Sequence, residues 1–226
     1  MERFTASFSG TPLTDFLDDS SPSTSSNIVE KLIRAVFNEK NAPEILPYQA
    51  DMVKDLQEKV EKQEDLLAED LDREPAQELR KIVFSLELKR IRYLLRLYFR
   101  TRLRKLEATA AHVLGDEEMM ERLSPLEQLY TQDFFVLAGT HLKGACLDRL
   151  PLDFQSVVKT HEGLADGNDM VLVPPLDAHV FCSVREDVGS IPLEEDNVLD
   201  MKANELFIIR YSLVSKLVMS GQAVLV

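Results

Sequence analysis

The sequence predicts an α+β protein, in which an N-terminal all-α helical bundle is followed by a small β-rich C-terminal domain. Up to Leu147, apolar residues recur three and four apart, which is the spacing of amphipathic helices. From Met170 onward they tend to alternate with polar residues, as they do in strands. The predicted divisions are a disordered acidic tail over 1–26, a helical domain over 27–150, a linker over 151–169 and the β-rich domain over 170–226.

The composition is that of a folded soluble protein. Of 226 residues, 45% are hydrophobic and 29% charged, and the net charge of −13 argues against non-specific DNA or membrane binding by the chain as a whole. No apolar run reaches the roughly 18–20 residues of a membrane span, and no signal-peptide core is present. The two cysteines, Cys146 and Cys182, form no disulfide framework and fit a reducing compartment.

The N-terminal tail is rich in Ser and Thr, which predicts disorder, but it contains one apolar island, PLTDFLDD. Coiled into a helix, the island would have its apolar residues on one face with aspartates beside them. Such a segment suits a short peptide that folds onto a partner's groove, and an ordinary acidic tail is the alternative. Ser21 precedes a proline and is a minimal phosphorylation site. The predicted docking residues are Leu13, Phe16, Leu17, Asp18 and Asp19.

Two helices are predicted in the first part of the helical domain. The first begins near Asn27, where Glu30 completes a capping-box pattern, and two prolines then break it. The second runs from about Gln49 to Leu71. Its apolar positions form a seam suited to packing along another helix, with the polar Gln63 inside the seam.

A third helix is predicted from Pro75 to about Gly115, which is long for a globular protein. Its apolar residues cover two sides, as is typical of a helix packed between neighbours in its own bundle or against another chain. Residues 88–107 of this helix hold eight basic residues and one acid. In a chain of net charge −13, so many basic residues in one segment predict a negatively charged binding partner for that segment.

Four arginines of this basic segment lie four residues apart and form one stripe. Arginine pairs in a bidentate way with carboxylates and with phosphates alike. We favour carboxylates of another subunit or of the same chain, with the acidic face of the second helix as the nearest candidate. Contact with nucleic-acid phosphates, without base recognition, is the alternative. The residues assigned to a subunit interface or to intramolecular charge pairing are Arg90, Arg92, Arg96, Arg100, Arg102, Tyr98, Phe99 and Leu103.

The rest of the chain predicts a fourth helix and then the β-rich domain. Ser124 and Glu127 form a capping box before a helix that ends near Leu147. Strands are predicted over 170–175, 179–187, 197–201, 206–211 and 222–226, with a short helix ending at Gly221. A domain this small is marginal alone, so we expect it to dock against another surface. Its apolar last residues, Val224, Leu225 and Val226, are predicted to pair in the sheet and to be needed for assembly.

Catalytic motifs are absent from the sequence. There is no dinucleotide-binding, phosphate-loop or nucleophile-elbow pattern, and the four histidines lack metal-ligand spacing. We therefore expect no enzymatic activity, no cofactor and no metal.

Several segments together resemble one family. The stretch ELKRIRYLLRLYFRTRLRKLE resembles the hallmark helix of the SLD-five family of GINS complex subunits. The stretches AVFNEKNAPEIL, LSPLEQLYTQDF, PPLDAHVFCSVRED and FIIRYSLVSKLVMSGQAVLV resemble other segments of that family in the same order. The resemblance covers about residues 28–226, and Phe37 stands where the family often has Trp.

The resemblance implies a nuclear, non-catalytic subunit of a heterotetramer required for initiation and elongation of chromosomal DNA replication. Each of its four related subunits has a helical A domain and a β-rich B domain. The implied partners are the three other GINS subunits, the minichromosome-maintenance helicase hexamer and its RecJ-like cofactor, with a replisome adaptor and polymerases as further partners. DNA contact would be indirect or weak. In some members an acidic-hydrophobic N-terminal peptide binds the adaptor, and LTDFLDD resembles it.

Overall fold

The computed structural model describes residues 28–69, 75–152, 155–158, 171–194 and 197–226. The predicted α+β class is confirmed: helices come first, and a small region of strands follows. The helices are α1 (Ile28–Asn41), α2 (Ala50–Glu69), α3 (Pro75–Leu114), α4 (Glu117–Glu121), α5 (Pro125–Ala145) and α6 (Tyr211–Ser220), with a 3₁₀ turn at Leu147–Arg149. The strands are β1 (His179–Val184), β2 (Gly189–Glu194), β3 (Asn197–Met201), β4 (Leu206–Arg210) and β5 (Ala223–Leu225).

The described chain divides into two compact units. One contains Gln49–Arg96 and the described residues up to Ala35. Its buried apolar residues recur at helical spacing along α2 and α3, as predicted, because each helix turns one apolar stripe inward. The buried side chains of this unit are Val29, Leu32, Met52, Val53, Leu56, Val60, Leu88, Ile91 and Leu95.

The second unit contains Val36–Tyr48 and the described residues from Leu97 onward. Its strands form a three-stranded antiparallel sheet in the order β4-β1-β5 and a separate β2-β3 hairpin. On β1, Val180, Cys182 and Val184 are buried and alternate with outward residues, which is the predicted period of two. Gly221 ends α6 with φ of +81°, a left-handed value that glycine adopts without steric cost.

The structure corrects several predicted elements. Residues 171–175 form no strand, because the consecutive prolines Pro174 and Pro175 have no N–H to donate to a neighbour. Helix α4 and strand β2 were not predicted from the pattern. Helix α3 is interrupted at Thr109 (φ −118°, ψ 24°), whose hydroxyl donates to the Lys105 carbonyl at 2.8 Å. Most of the predicted linker lies outside the described residues.

Candidate interaction surface and the buried network that supports it

Residues 36–48, here called the connector, comprise the last turns of α1 and the loop that follows. Two carboxylates of the connector are buried: Glu39 is 1% exposed and Glu44 is 5% exposed. A buried carboxylate is unfavourable unless it is paired and hydrogen-bonded. The surroundings of the connector must therefore supply cations and donors.

Arg102 of α3 supplies most of them, and all five of its N–H donors are used. Nε and one terminal nitrogen donate to the two carboxylate oxygens of Glu127 at 2.7 and 3.0 Å. The other terminal nitrogen donates to Glu39 at 3.1 Å and to the Leu46 carbonyl at 2.6 Å. A bond of 3.2 Å to the Arg122 carbonyl completes the set. Arg102 is therefore fully buried and fully hydrogen-bonded.

Two aromatic rings lie close to the same guanidinium. The Arg102 carbon Cζ lies 5.4 Å from the ring centre of Tyr48 and 5.6 Å from that of Tyr98. Burial lowers the pKa of Arg102, but hydrogen bonding to Glu127 and the charge of Glu39 outweigh burial and raise that pKa. Arg102 is therefore a permanent cation inside the protein.

Two further cations balance the remaining acids. Lys105 Nζ donates to Glu39 at 2.9 Å and to the Glu44 carbonyl at 2.7 Å. Burial lowers the pKa of Lys105, and Glu39 partly opposes this change. Arg122 donates to the Glu44 carboxylate at 2.7 Å. Three cations thus meet three carboxylates in what we call the buried network, which consists of Glu39, Glu44, Arg102, Lys105, Arg122 and Glu127.

The C-terminal strands and α6 pack on the same connector. Tyr211 Oη donates to Glu44 at 2.8 Å, and the backbone N–H of Leu225 donates to the side-chain oxygen of Asn38 at 2.9 Å. Ala42 and Leu46 belong to the same apolar core as the inward residues of the strands and α6. Burial raises the pKa of the Tyr211 phenol. The small β-rich region therefore docks on its own chain, through the connector.

Helix α5 begins at this network. Ser124 caps it: the hydroxyl accepts from the Glu127 N–H at 3.2 Å, and Glu127 accepts from the Ser124 N–H at 2.9 Å. Glu127 is thus both the capping carboxylate of α5 and the main partner of Arg102. Because of this double role, the buried network fixes the start of α5 to α3 and to the connector.

Helix α5 has an apolar face whose large side chains are exposed in the described part of the chain. Leu126 is 79% exposed, Val136 67% and Leu137 71%. Exposed apolar side chains that recur along one helix are typical of a protein–protein interface. We call this set the α5 face; it consists of Leu126, Leu129, Tyr130, Val136 and Leu137, of which Tyr130 also donates to Glu107.

Comparison with known proteins identifies the family. The family described as "GINS complex protein helical bundle domain" matches residues 48–143, and "DNA replication complex GINS protein SLD5 C-terminus" matches residues 174–226. A mouse protein named "DNA replication complex GINS protein SLD5" is 32% identical over 90% of this chain and 91% of its own length. The chain belongs to the SLD5 family of GINS proteins. The resemblance predicted from the sequence is therefore confirmed.

Relatives from distant organisms match the chain over a similar length. The Arabidopsis thaliana protein of the same name is 34% identical over 88% of this chain and 90% of its own length. The Dictyostelium discoideum protein is 29% identical over 87% and 90%. The similarity thus extends over both the helical and the strand-rich parts of this SLD5-family chain.

The structure separates the predicted arginines by their surroundings. In this SLD5-family chain Arg90 pairs with Glu87 on its own helix at 2.6 Å, and Arg92 pairs with Glu64 of α2. Arg102 is the centre of the buried network. Arg96 and Arg100 are exposed and have no ion pair in the described part of the chain. Their role at a subunit interface stays a prediction.

The other predicted site residues lie in three environments. Tyr98 is buried beside Arg102, whereas Phe99 and Leu103 are half-buried on α3. Pairing of the last residues in the sheet is confirmed, because Leu225 lies opposite Cys182 and the Val226 N–H donates to the Phe181 carbonyl. The prediction that Val224, Leu225 and Val226 are needed for assembly stays a prediction. The docking residues predicted in the tail, 13–19, lie outside the described residues.

Sequence reasoning missed the connector as a site. It used the stretch NEKNAPEIL only as a family signature, although two of its carboxylates and Asn38 make the decisive contacts. The sequence pattern places Tyr211 at the end of a predicted strand, whereas in the structure it is the first residue of α6. A usable signal was present, since charged residues beside a proline break next to apolar Ile45 and Leu46 predict a buried polar loop.

The described residues carry neither a metal-binding cluster nor a membrane-spanning helix. In that part of the chain, no group of three or more His, Cys, Asp or Glu side chains is arranged to hold a metal ion. Among the described helices, none combines the length and apolar character needed to cross a membrane.

Proposed function

We propose that this chain is a non-catalytic structural subunit of the GINS complex, required for the initiation and elongation of chromosomal DNA replication in the nucleus. The α5 face is the observation that carries the proposal. Its large apolar side chains are exposed in the isolated chain, and its first turn is fixed by the buried network, in which three cations meet three carboxylates. That combination suits a rigid surface for a partner helix.

A second apolar set on α3 supports assembly independently. The N-terminal half of this helix exposes Leu79, Ile82, Val83 and Leu86, each more than half exposed. Stable monomers rarely expose several large apolar side chains next to one another. We infer that three other GINS subunits cover these faces, and that the assembled complex binds the minichromosome-maintenance hexamer and its RecJ-like cofactor.

The tail adds a separate element to the proposal. We infer that Leu13, Phe16 and Leu17, with Asp18 and Asp19, form a short docking peptide for a replisome adaptor that links the helicase to polymerases. The support is the resemblance of LTDFLDD to acidic-hydrophobic peptides. Changing Phe16 and Leu17 to Ala should abolish recovery of the adaptor in a pull-down and leave GINS subunits bound. Unchanged recovery would discard this element.

Co-expression tests the main proposal. The chain alone should aggregate or be poorly soluble, and co-expression with its three partners should make it soluble as one complex. A well-behaved monomer with a sharp unfolding transition would contradict the proposal. Nuclear residence is checked by imaging a tagged chain at its normal level.

A further inference from the structure

Helix α3 carries arginines in two opposite situations. Arg102 is buried with every donor used, whereas Arg96, Arg100 and Arg104 are exposed and have no ion pair in the described part of the chain. A shortage of acids does not explain this difference, because the chain has 39 acidic and 26 basic residues. We call these three residues the arginine stripe.

The geometry of the stripe is regular. Residues four apart on a helix rise by about 6 Å and lie on neighbouring positions of one face. Like charges at this spacing repel and weaken a helix. Glu107, one turn beyond Arg104, forms no ion pair with it and instead accepts a hydrogen bond from Tyr130 at 2.6 Å. In the described part of the chain no carboxylate forms an ion pair with the stripe, so an acid from another molecule would relieve this repulsion.

We propose that the arginine stripe binds an acidic helix of another subunit of the complex. The inference rests on the proposed function and names the chemistry of one contact. Carboxylates four apart on a partner helix have the same rise of about 6 Å, so each would meet one guanidinium. Arginine forms bidentate pairs with carboxylates and is desolvated more easily than lysine, which suits an interface.

Two observations favour a protein over a nucleic acid. The net charge of −13 repels a polyanion from the chain as a whole. Tyr93, one turn before Arg96, is 63% exposed, and the apolar Leu97 and Leu103 beside the stripe are half-buried. Tyrosine and arginine together, with apolar side chains at the margin, are the composition of protein–protein interfaces.

Zero-length cross-linking of the assembled complex tests the proposal directly. In the variant Arg100→Lys/Arg104→Lys the positive charges remain, and a carbodiimide joins lysine amines to carboxylates in direct contact. Mass spectrometry should identify cross-links to two acidic residues four apart on one helix of a partner subunit. The control Arg185→Lys, an exposed position on the strand-rich region, should give no such pair. Absence of the cross-links, or links only within the chain, would overturn the inference.

Charge reversal provides the second measurement. Arg100→Glu/Arg104→Glu should dissociate from the assembled complex at least about tenfold faster, with a weaker salt dependence. The control Arg185→Glu/Lys202→Glu makes the same change of charge at exposed positions and should dissociate like wild type.

The alternatives have distinct outcomes. Wild-type chain that fails to assemble at all would defeat the proposed function, and the inference would fall with it. Wild-type assembly with unchanged dissociation of the reversed variant would overturn the inference alone. If that variant assembles normally but the complex loses affinity for a labelled oligothymidylate, the stripe binds nucleic acid instead.

Discussion

The hydroxyl of Tyr211 donates to a carboxylate oxygen of Glu44 at 2.8 Å, between residues 167 positions apart in the chain. The other oxygen of Glu44 accepts from Arg122, which lies between α4 and α5. One buried carboxylate therefore ties the first residue of α6 and the start of α5 to the same connector. Through this contact the C-terminal region supports the surface that we propose for assembly.

Replacing Tyr211 by Phe removes one donor from Glu44 and keeps the packing. Because a hydrogen bond to a charged group contributes roughly 1.5–3 kcal/mol, we expect local opening of the connector and α6 to become easier by about that amount. Hydrogen exchange of the chain within its complex measures this opening. Ser212→Ala, which removes the exposed hydrogen bond of the neighbouring residue to Asp177, is the control and should change little. Equal protection in wild type and Tyr211→Phe would contradict the account.

Replacing Arg102 by Met leaves Glu39 and Glu127 buried without their main partner. Loss of one partner from a buried ion pair costs about 3–5 kcal/mol, so we expect loss of soluble complex at growth temperature. Arg185→Met, at an exposed position outside the proposed contacts, is the control and should assemble normally. The yield of complex after co-expression is the measurement. A normal yield from Arg102→Met would show that the buried network is not essential.

The pKa of Tyr211 predicts a loss of stability at alkaline pH. Burial raises that pKa above the ordinary value of 10.0, so the folded state retains a proton that the unfolded state releases. This contribution is complete below pH 10 and is lost as the pH rises further. Lys105 acts in the opposite direction, because burial lowers its pKa and the folded state releases its proton first. Pulse proteolysis of wild type and Tyr211→Phe from pH 9 to 11 should show a shallower decline for the variant. Parallel declines would refute the assignment.

Removing residues 222–226 deletes β5 and the donor to Asn38. The cost includes the buried Ala223 and Leu225, and a buried leucine alone is worth 2–5 kcal/mol when truncated to alanine. We expect this deletion to block assembly. The control Val226→Ser changes only an exposed side chain and should assemble normally. Normal tetramer formation by the deletion would show that the C-terminal strand is dispensable.

The sequence predicted the elements of regular structure better than the contacts between them. Local patterns were enough to predict the apolar stripes of α2 and α3, the capping box of Ser124 and the paired C-terminal strand. Each of these depends on the spacing or chemistry of residues that are close in the sequence. The contact of Tyr211 with Glu44 joins distant residues, and no local pattern encodes such a pairing. Arg102 and Arg104 are two positions apart in one basic segment, yet one is buried and the other is exposed. Arg102 is the buried one because its side chain reaches Glu127 of α5 and Glu39 of the connector, and the positions of these two elements cannot be read from the local sequence.

The mass of the endogenous complex, measured by native mass spectrometry after gentle purification through a tag on this chain, tests the central claim most directly. We predict a single 1:1:1:1 assembly with three other small subunits. Recovery of the chain as a monomer, as a homo-oligomer, or with partners outside this complex would contradict the account.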